Sequence, residues 1–195
     1  MQPPEVHAAE ESRRSAVIAT ITLGFATDPV ARWVWPDPAT YFDVQPKFVD
    51  AFGANGFDHG TVFETDCKRA AALWLPPGVE PDAERMFALS AETVAPERME
   101  EVGMFFGQMA EYHPQEPCWY LPMIAADPAA TGQGLGAALM KHALAIVDEA
   151  GLPAYLESSN PRNISLYERH GFEVMGEIRT ENSPLMTPML RAARG

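Results

Sequence analysis

Ala125-Ala126-Asp127-Pro128-Ala129-Ala130-Thr131-Gly132-Gln133-Gly134-Leu135-Gly136-Ala137-Ala138-Leu139-Met140 is the stretch from which the rest of the chain can be read. An apolar run over 119–126 ends in Asp127-Pro128. A loop with glycine at 132, 134 and 136 follows, and from Leu135 to Val147 apolar residues return at helical spacing. The order is strand, tight loop, helix, with the glycines at the helix mouth. Glycine lets a backbone take positive φ and approach a ligand closely. The first turn of a helix presents N–H groups that have no partner within it, at the positive end of the helix dipole. A phosphate or pyrophosphate fits such a place. A plain glycine-rich turn that packs helix on strand needs the same residues, so the loop alone leaves both readings open.

Two familiar phosphate loops do not fit. No Gly-Lys-Ser/Thr ending is present, which argues against a nucleotide-hydrolysing P-loop. A dinucleotide fingerprint starting at Gly134-x-Gly136 needs glycine at 139, where Leu139 stands. No acidic residue follows on a clear second strand about twenty residues on.

The chain of 195 residues is long enough to bury a core without disulfides. Its 14 Lys and Arg against 27 Asp and Glu give a net charge of −13, which repels nucleic acid and anionic membrane and attracts cationic solutes. No basic patch stands out, so no nucleic-acid partner is expected. Cys67 and Cys118 have no metal-ligand spacing, and the histidines do not cluster with them. Reduced thiols in a cytoplasmic protein, both packed as small apolar residues, are the expectation.

In chain order, 1–11 is polar, with at most a short edge strand. Ser12-Arg13-Arg14 before an apolar run looks like a twin-arginine export signal. An amphipathic helix is favoured, because Val17, Ile18, Ile21 and Phe25 lie at spacings of three and four, and acidic residues precede the arginines. No stretch is long enough to cross a membrane. A short helix starts at Asp28-Pro29 and stops at Pro36. A third covers 38–52, with Phe42, Phe48, Val49 and Phe52 inward. Two strands follow at 60–65 and 69–75, then helices at 80–94 and 96–112. After the strand, loop and helix already quoted come a strand at 154–158, a short helix at 163–170 closed by Gly171, and strands at 172–178 and 184–190. The fold class is α/β (α+β): the second half alternates strand and helix, and the first half is helical with one hairpin.

These residues carry a family resemblance. The chain resembles the GNAT acyl-CoA N-acyltransferases in Thr131-Gly132-Gln133-Gly134-Leu135-Gly136. It does so again in Asn160-Pro161-Arg162-Asn163-Ile164-Ser165-Leu166-Tyr167-Glu168-Arg169-His170-Gly171-Phe172. The family's loop pattern is Gln/Arg-x-x-Gly-x-Gly/Ala; Thr131 stands where Gln or Arg is usual. Glu116-Pro117-Cys118-Trp119-Tyr120-Leu121, Phe25-Ala26-Thr27-Asp28-Pro29-Val30 and Ala72-Leu73-Trp74-Leu75-Pro76-Pro77-Gly78 look like a branch that includes puromycin acetyltransferases.

The resemblance implies a mixed, splayed central β-sheet flanked by helices, in one domain over 1–195. Residues 1–115 would form the acceptor side and 116–195 the acyl-CoA side. It implies acetyl-CoA as donor, an amine acceptor, and a monomer or homodimer. Ile124, Ala125 and Ala126 would meet the pantetheine arm as an added strand does. Thr131, Gly132, Gln133, Gly134, Leu135, Gly136 and Ala137 would surround the pyrophosphate. Asn160 and Asn163 would face coenzyme A from the other side. Tyr167 would protonate the leaving thiolate, and a backbone N–H near Ile124 would hold the oxyanion. For the base, Glu116 and Glu157 lead, with Glu111, His113, Asp127 or a water chain behind them. Trp33, Tyr41, Trp119 and Tyr120 are the expected walls of the acceptor pocket. A non-catalytic acyl-CoA-binding domain on the same fold is the alternative.

Overall fold

In the computed structural model, which describes residues 4–194, a short strand β1 (Val6–Ala8) precedes helices α1 (Arg14–Gly24), α2 (Pro29–Val34) and α3 (Pro38–Gly53). The hairpin β2 (Val62–Thr65) and β3 (Ala70–Leu75) follows, then α4 (Ala83–Thr93) and α5 (Met99–Tyr112). The second half runs β4 (Trp119–Ala126), α6 (Leu135–Ala150), β5 (Ala154–Ser158), α7 (Ile164–Arg169), β6 (Glu173–Val174) and β7 (Thr187–Arg191). Asp-Pro pairs start two of these helices. Asp28 accepts from the N–H of Val30 and Ala31 to cap α2, and Asp37 accepts from the Thr40 N–H at 2.8 Å to cap α3.

The strands form one mixed sheet in the order β1-β2-β3-β4-β5-β7-β6. β4 and β5 are parallel, joined by the α6 crossover, and the other neighbours are antiparallel. Alternation along β3 divides the core. Ala71, Leu73 and Leu75 face the helices of the first half, and Ala70, Ala72 and Trp74 face α6. The alanines let helices lie close on both faces. Where the C-terminus of α1 meets the end of β4, a Cβ on Gly24 would sit 2.5 Å from the Ala125 Cβ and 3.0 Å from the Ala126 oxygen. Gly24→Ala is expected to lose ~1–3 kcal/mol through overpacking, more than the ~1 kcal/mol that alanine gains in helix propensity. An unchanged urea midpoint would contradict this contact.

Arg13 and Arg14, the residues of the export-like motif, are taken up in the fold. Arg13 makes two hydrogen bonds of 3.1 Å to the buried carboxylate of Glu64, and Arg14 meets Asp50 at 2.8 Å. Among the described residues, no helix is long and apolar enough to cross a membrane.

Three expectations need correction. On α3 the buried stripe is Tyr41, Val44, Gln45, Phe48, Val49 and Phe52, and Phe42 is exposed. Phe42 lies at the edge of that stripe, about 90° of helix from its centre, in the first turn of α3. The strand expected at 172–178 shortens to β6 plus a lone bridge between Ile178 and Met186, and the last strand lies at β7 instead of 184–190. Between β6 and that bridge, Gly176 rests against the Tyr112 ring of α5. Cys118 is buried as expected, but Cys67 is exposed in the β2–β3 turn.

Candidate active site

The sheet opens between β4 and β5. Their pairing covers Trp119 to Leu121 against Ala154 to Leu156, after which β4 stays with β3 while Glu157 and Ser158 pair with β7. A bulge marks the parting. Leu73 faces Met123 but Leu75 faces Tyr120, so two steps of β3 match three of β4, and the extra residue falls at 121–122. Pro122, in that bulge, has no N–H to give to a ladder.

The bulge also reverses the direction of the backbone. At the start of β4 the Trp119 N–H donates to the Pro153 oxygen, on the β5 side. Just past its end the Asp127 N–H donates to the Arg69 oxygen, on the β3 side. Both positions are odd-numbered, and a regular strand would aim them alike. Side chains record the same shift. Trp119 and Leu121 face α6, and after the bulge so do Ile124 and Ala126. The N–H and C=O groups of Ile124 and Ala126 therefore point away from β3, into the opening.

The glycine loop stands at the same end. Gly132 and Gly134 have φ of +79° and +78°, values suited to glycine, and a Cβ on either would meet nothing within 4 Å. Gly136 is helical and needs no such freedom. Among the described residues no side chain caps α6, and its first internal bond runs from the Ala138 N–H to the Gly134 oxygen. The N–H groups of Leu135, Gly136 and Ala137 are thus open to a guest. Gln133 differs from expectation: its N–H donates to the Ala130 oxygen at 3.4 Å, and its exposed side chain lies outside the cleft.

A cleft of about 720 Å³ passes from this loop through the gap in the sheet to the first-half helices. Ile124, Ala125, Ala126, Thr131, Gly132, Gly134, Leu135, Gly136, Ala137, Asn160, Asn163 and Tyr167 all line it, as does Glu157. The Asn160 side chain also accepts from the Arg162 N–H, stiffening the turn that leads into α7.

Tyr167, on α7, is buried. Burial first, and the Asp28 carboxylate second, push its phenol above the ordinary value, so the proton stays on through neutral pH. Asp28 itself joins the cleft walls, accepting a hydrogen bond from the Ser159 hydroxyl. Burial pushes this carboxyl up, against the hydrogen bonds from Ser159, Ala31 and Val30.

Glu157 is the second carboxyl of the cleft that burial perturbs. Desolvation pushes it up to about 7, against hydrogen bonding that favours the ion. The Tyr120 hydroxyl donates to its Oε2 at 2.8 Å. The Tyr155 hydroxyl lies near enough to favour the ionised form, without the geometry of a sound hydrogen bond. His113 packs edge-on against Tyr120 and Tyr155, with ring centroids 4.9 and 5.0 Å away, and burial lowers its pKa.

The other candidate bases lie elsewhere. Glu116 is exposed, before the start of β4 and at the opposite end from the glycine loop, and Glu111 is an exposed residue of α5; neither lines the cleft. Asp127 caps the next turn through the Ala129 N–H at 2.8 Å and pairs with Arg69 at 3.2 Å, which hold its carboxyl below the usual range.

None of the four expected wall aromatics lines the cleft. Tyr41 is wholly buried with its hydroxyl on the Thr22 oxygen, Trp33 packs on Phe105, and Trp119 faces α6. Tyr120 acts from behind Glu157. The walls come from Trp35, Phe48, Phe52, Phe106 and Met109, with Gln45 among them. Sequence reasoning also missed Asp28 and Ser159. One signal was available: Gln45 is a polar residue inside the apolar stripe of α3. Asp28 read only as a helix cap.

Comparison with known proteins bears on the whole arrangement. Residues 69–172 match the model of the Acetyltransferase (GNAT) family. Among solved structures, one of histone acetyltransferase HPA2 and related acetyltransferase from Corynebacterium glutamicum is 22% identical, with a TM-score of 0.70 over 100% of this chain and 98% of the other. An arylalkylamine N-acetyltransferase from Aedes aegypti is 10% identical, with a TM-score of 0.67 over 98% and 99% of the two chains. A polyamine N-acetyltransferase from Drosophila melanogaster is 12% identical, with a TM-score of 0.61 over 96% and 99%. At these identities the likeness is one of fold.

Proposed function

Because the chain belongs to the GNAT acetyltransferase family, we propose that it moves an acetyl group from acetyl-CoA to the primary amine of a small molecule, by direct attack inside the cleft. The observation that carries this reading is one opening that holds an unpaired strand edge, an uncapped helix N-terminus, a protonated phenol and a carboxyl poised near neutrality. The cradle fits the donor: the N–H groups of Gly134 to Ala137 suit a pyrophosphate, and the edge of Ile124 and Ala126 suits the amides of pantetheine. Thr131 lines the loop without the long side chain usual there.

The residues divide the chemistry. Glu157 takes the proton of the incoming ammonium, which frees the nitrogen lone pair. The backbone N–H of Ile124 holds the oxyanion as the C–N bond forms. Tyr167 gives its proton to the sulfur as the C–S bond breaks, and the second proton shed by the acylated nitrogen returns the phenolate to phenol. A carboxyl near 7 is better matched to this transfer than one near 4.5, because proton affinity closer to that of the amine raises the driving force.

A pH profile checks the base. Glu157 must be ionised to act, so kcat/KM should rise with pH through about 7. Tyr120 favours the ion by donating to it, so Tyr120→Phe should move that limb to higher pH. A limb that does not move between the two proteins would remove Glu157 from this role. The proposal as a whole is tested by calorimetric titration with coenzyme A and by thiol release with an amine panel. Protein that ignores coenzyme A would end it.

A further inference from the structure

Positive charge is scarce on this chain, and its placement around the cleft is uneven. With 27 Asp and Glu against 14 Lys and Arg, the overall field opposes a polyanion such as coenzyme A. Many of the cations hold carboxylates, as Arg13, Arg69 and Arg191 do with Glu64, Asp127 and Asp148. Among the described residues lining the cleft, the cations are Arg162 and Arg169. Both are exposed. Neither forms an ion pair with a carboxylate of the described residues.

Their position follows from α7 and the turn before it. Arg162, Leu166 and Arg169 recur at spacings of four and three, which sets them along one face. Leu166 fixes where that face points: its Cδ2 would lie 3.6 Å from a Cβ on Gly136, in the first turn of α6. The two arginines therefore bracket the contact between α7 and the mouth of α6.

Coenzyme A has more to place there than its pyrophosphate. With the pyrophosphate on the N–H groups of Leu135, Gly136 and Ala137, the thiol arm runs inward and the adenosine lies outside. Its ribose carries a 3′-phosphate, a monoester close to dianionic at neutral pH. The loop amides, taken by the pyrophosphate, do not serve it. A guanidinium keeps its charge at any working pH, and its planar fork matches two phosphate oxygens.

Resting on the acetyl-transfer reading above, we propose that Arg162 and Arg169 bind the 3′-phosphate of the donor, so that the protein selects coenzyme A over its 3′-dephospho form. The backbone cradle recognises the diphosphate, and the arginine pair reads the phosphate beyond it. Both are specificity-determining residues that take no part in bond making.

Calorimetric titration with coenzyme A and with 3′-dephospho-coenzyme A tests this. The wild-type protein should bind coenzyme A about tenfold more tightly, as charge-assisted hydrogen bonds at an exposed site imply. At an ionic strength of about 1 M, where the Debye length is ~3 Å, that ratio should shrink to about threefold or less. The double variant Arg162→Gln/Arg169→Gln, altered only at exposed side chains, should bring the ratio to within about twofold at low salt. Lys47→Gln is the control for overall charge, because Lys47 is an exposed cation of α3 outside the cleft lining. It should leave the ratio as it is, and a ratio lost there would overturn the inference. Wild-type protein that binds both cofactors alike would overturn it and leave acetyl transfer standing. A ratio that survives in the double variant overturns it too; if both affinities fall together, the arginines act on the pyrophosphate instead. No binding of coenzyme A to the wild-type protein overturns the underlying reading.

Discussion

Tyr167→Phe should lower kcat by about 100-fold or more and leave the Kd for coenzyme A within about twofold. The change removes one oxygen from a buried ring and keeps its packing against Phe172, so the fold and the cradle at Gly132 to Ala137 stay intact. What is lost is the proton for the departing sulfur. Without it the thiolate leaves unprotonated, and general acid catalysis of this kind contributes about 10²–10⁴-fold. An acceptor whose thioester chemistry is limited by thiolate departure should show the whole effect in kcat. Stopped turnover with single-enzyme equivalents of acetyl-CoA would separate this from slow product release. Equal losses in kcat and in coenzyme A affinity would assign Tyr167 to binding and remove it as the acid.

The second large effect is expected at Gly134. Its φ of +78° puts it in the left-handed region, at the N-cap of α6. Valine there meets no neighbouring atom, so the obstacle is its own backbone: β-branched residues resist this conformation, at a cost of about 1–3 kcal/mol. The loop relieves that strain by turning its amides away from the cleft. Losing two charge-assisted hydrogen bonds to a phosphate corresponds to ~100-fold or more in affinity. Calorimetry should therefore find coenzyme A binding reduced at least ~100-fold in Gly134→Val, while the melting temperature falls by only a few degrees. Melting that drops with affinity unchanged would mean that the glycines serve packing and not an anion. Gly136→Ala is the contrast. Gly136 is helical, and a Cβ there meets only the Leu166 side chain, at 3.6 Å, so affinity should hold far better.

Much of the second half was legible because its glycine loop and flanking elements are built from contiguous residues. A strand that runs into Asp127-Pro128, glycines at 132 and 134, and an uncapped helix are local features, and each follows from backbone geometry that a short segment specifies by itself. Asn160 and Tyr167 follow in register, because α7 is short and closed by Gly171. The orientation of Ile124 and Ala126 was anticipated from the resemblance; its physical cause, the bulge at 121–122, was not. A bulge depends on pairing with β3, some fifty residues earlier.

The first half was harder to read for a geometrical reason. On α3 one residue of phase separates the exposed Phe42 from the buried Tyr41, and an apolar residue count cannot resolve that angle. The wall aromatics were misassigned in the same way. Trp119 and Tyr120 are adjacent in sequence, yet they face opposite sides of the sheet. Glu116 and Glu157 looked equivalent as carboxylates near strand ends. Only the parallel pairing of β4 and β5 separates them, because it puts the start of β4 and the end of β5 at opposite edges.

The amino-acid order alone was enough for the strand, glycine loop and helix and for the fold class, since these rest on local backbone conformation and on the alternation of apolar segments, and its motifs were enough for the family. Folding in three dimensions settled which carboxyl is shut away from water, which aromatic rings line the chamber and that the Gln45 Oε1 has no hydrogen-bond partner among the described residues. Burial, desolvation and hydrogen-bond satisfaction are properties of a surrounding assembled from distant parts of the chain, and no short segment specifies them.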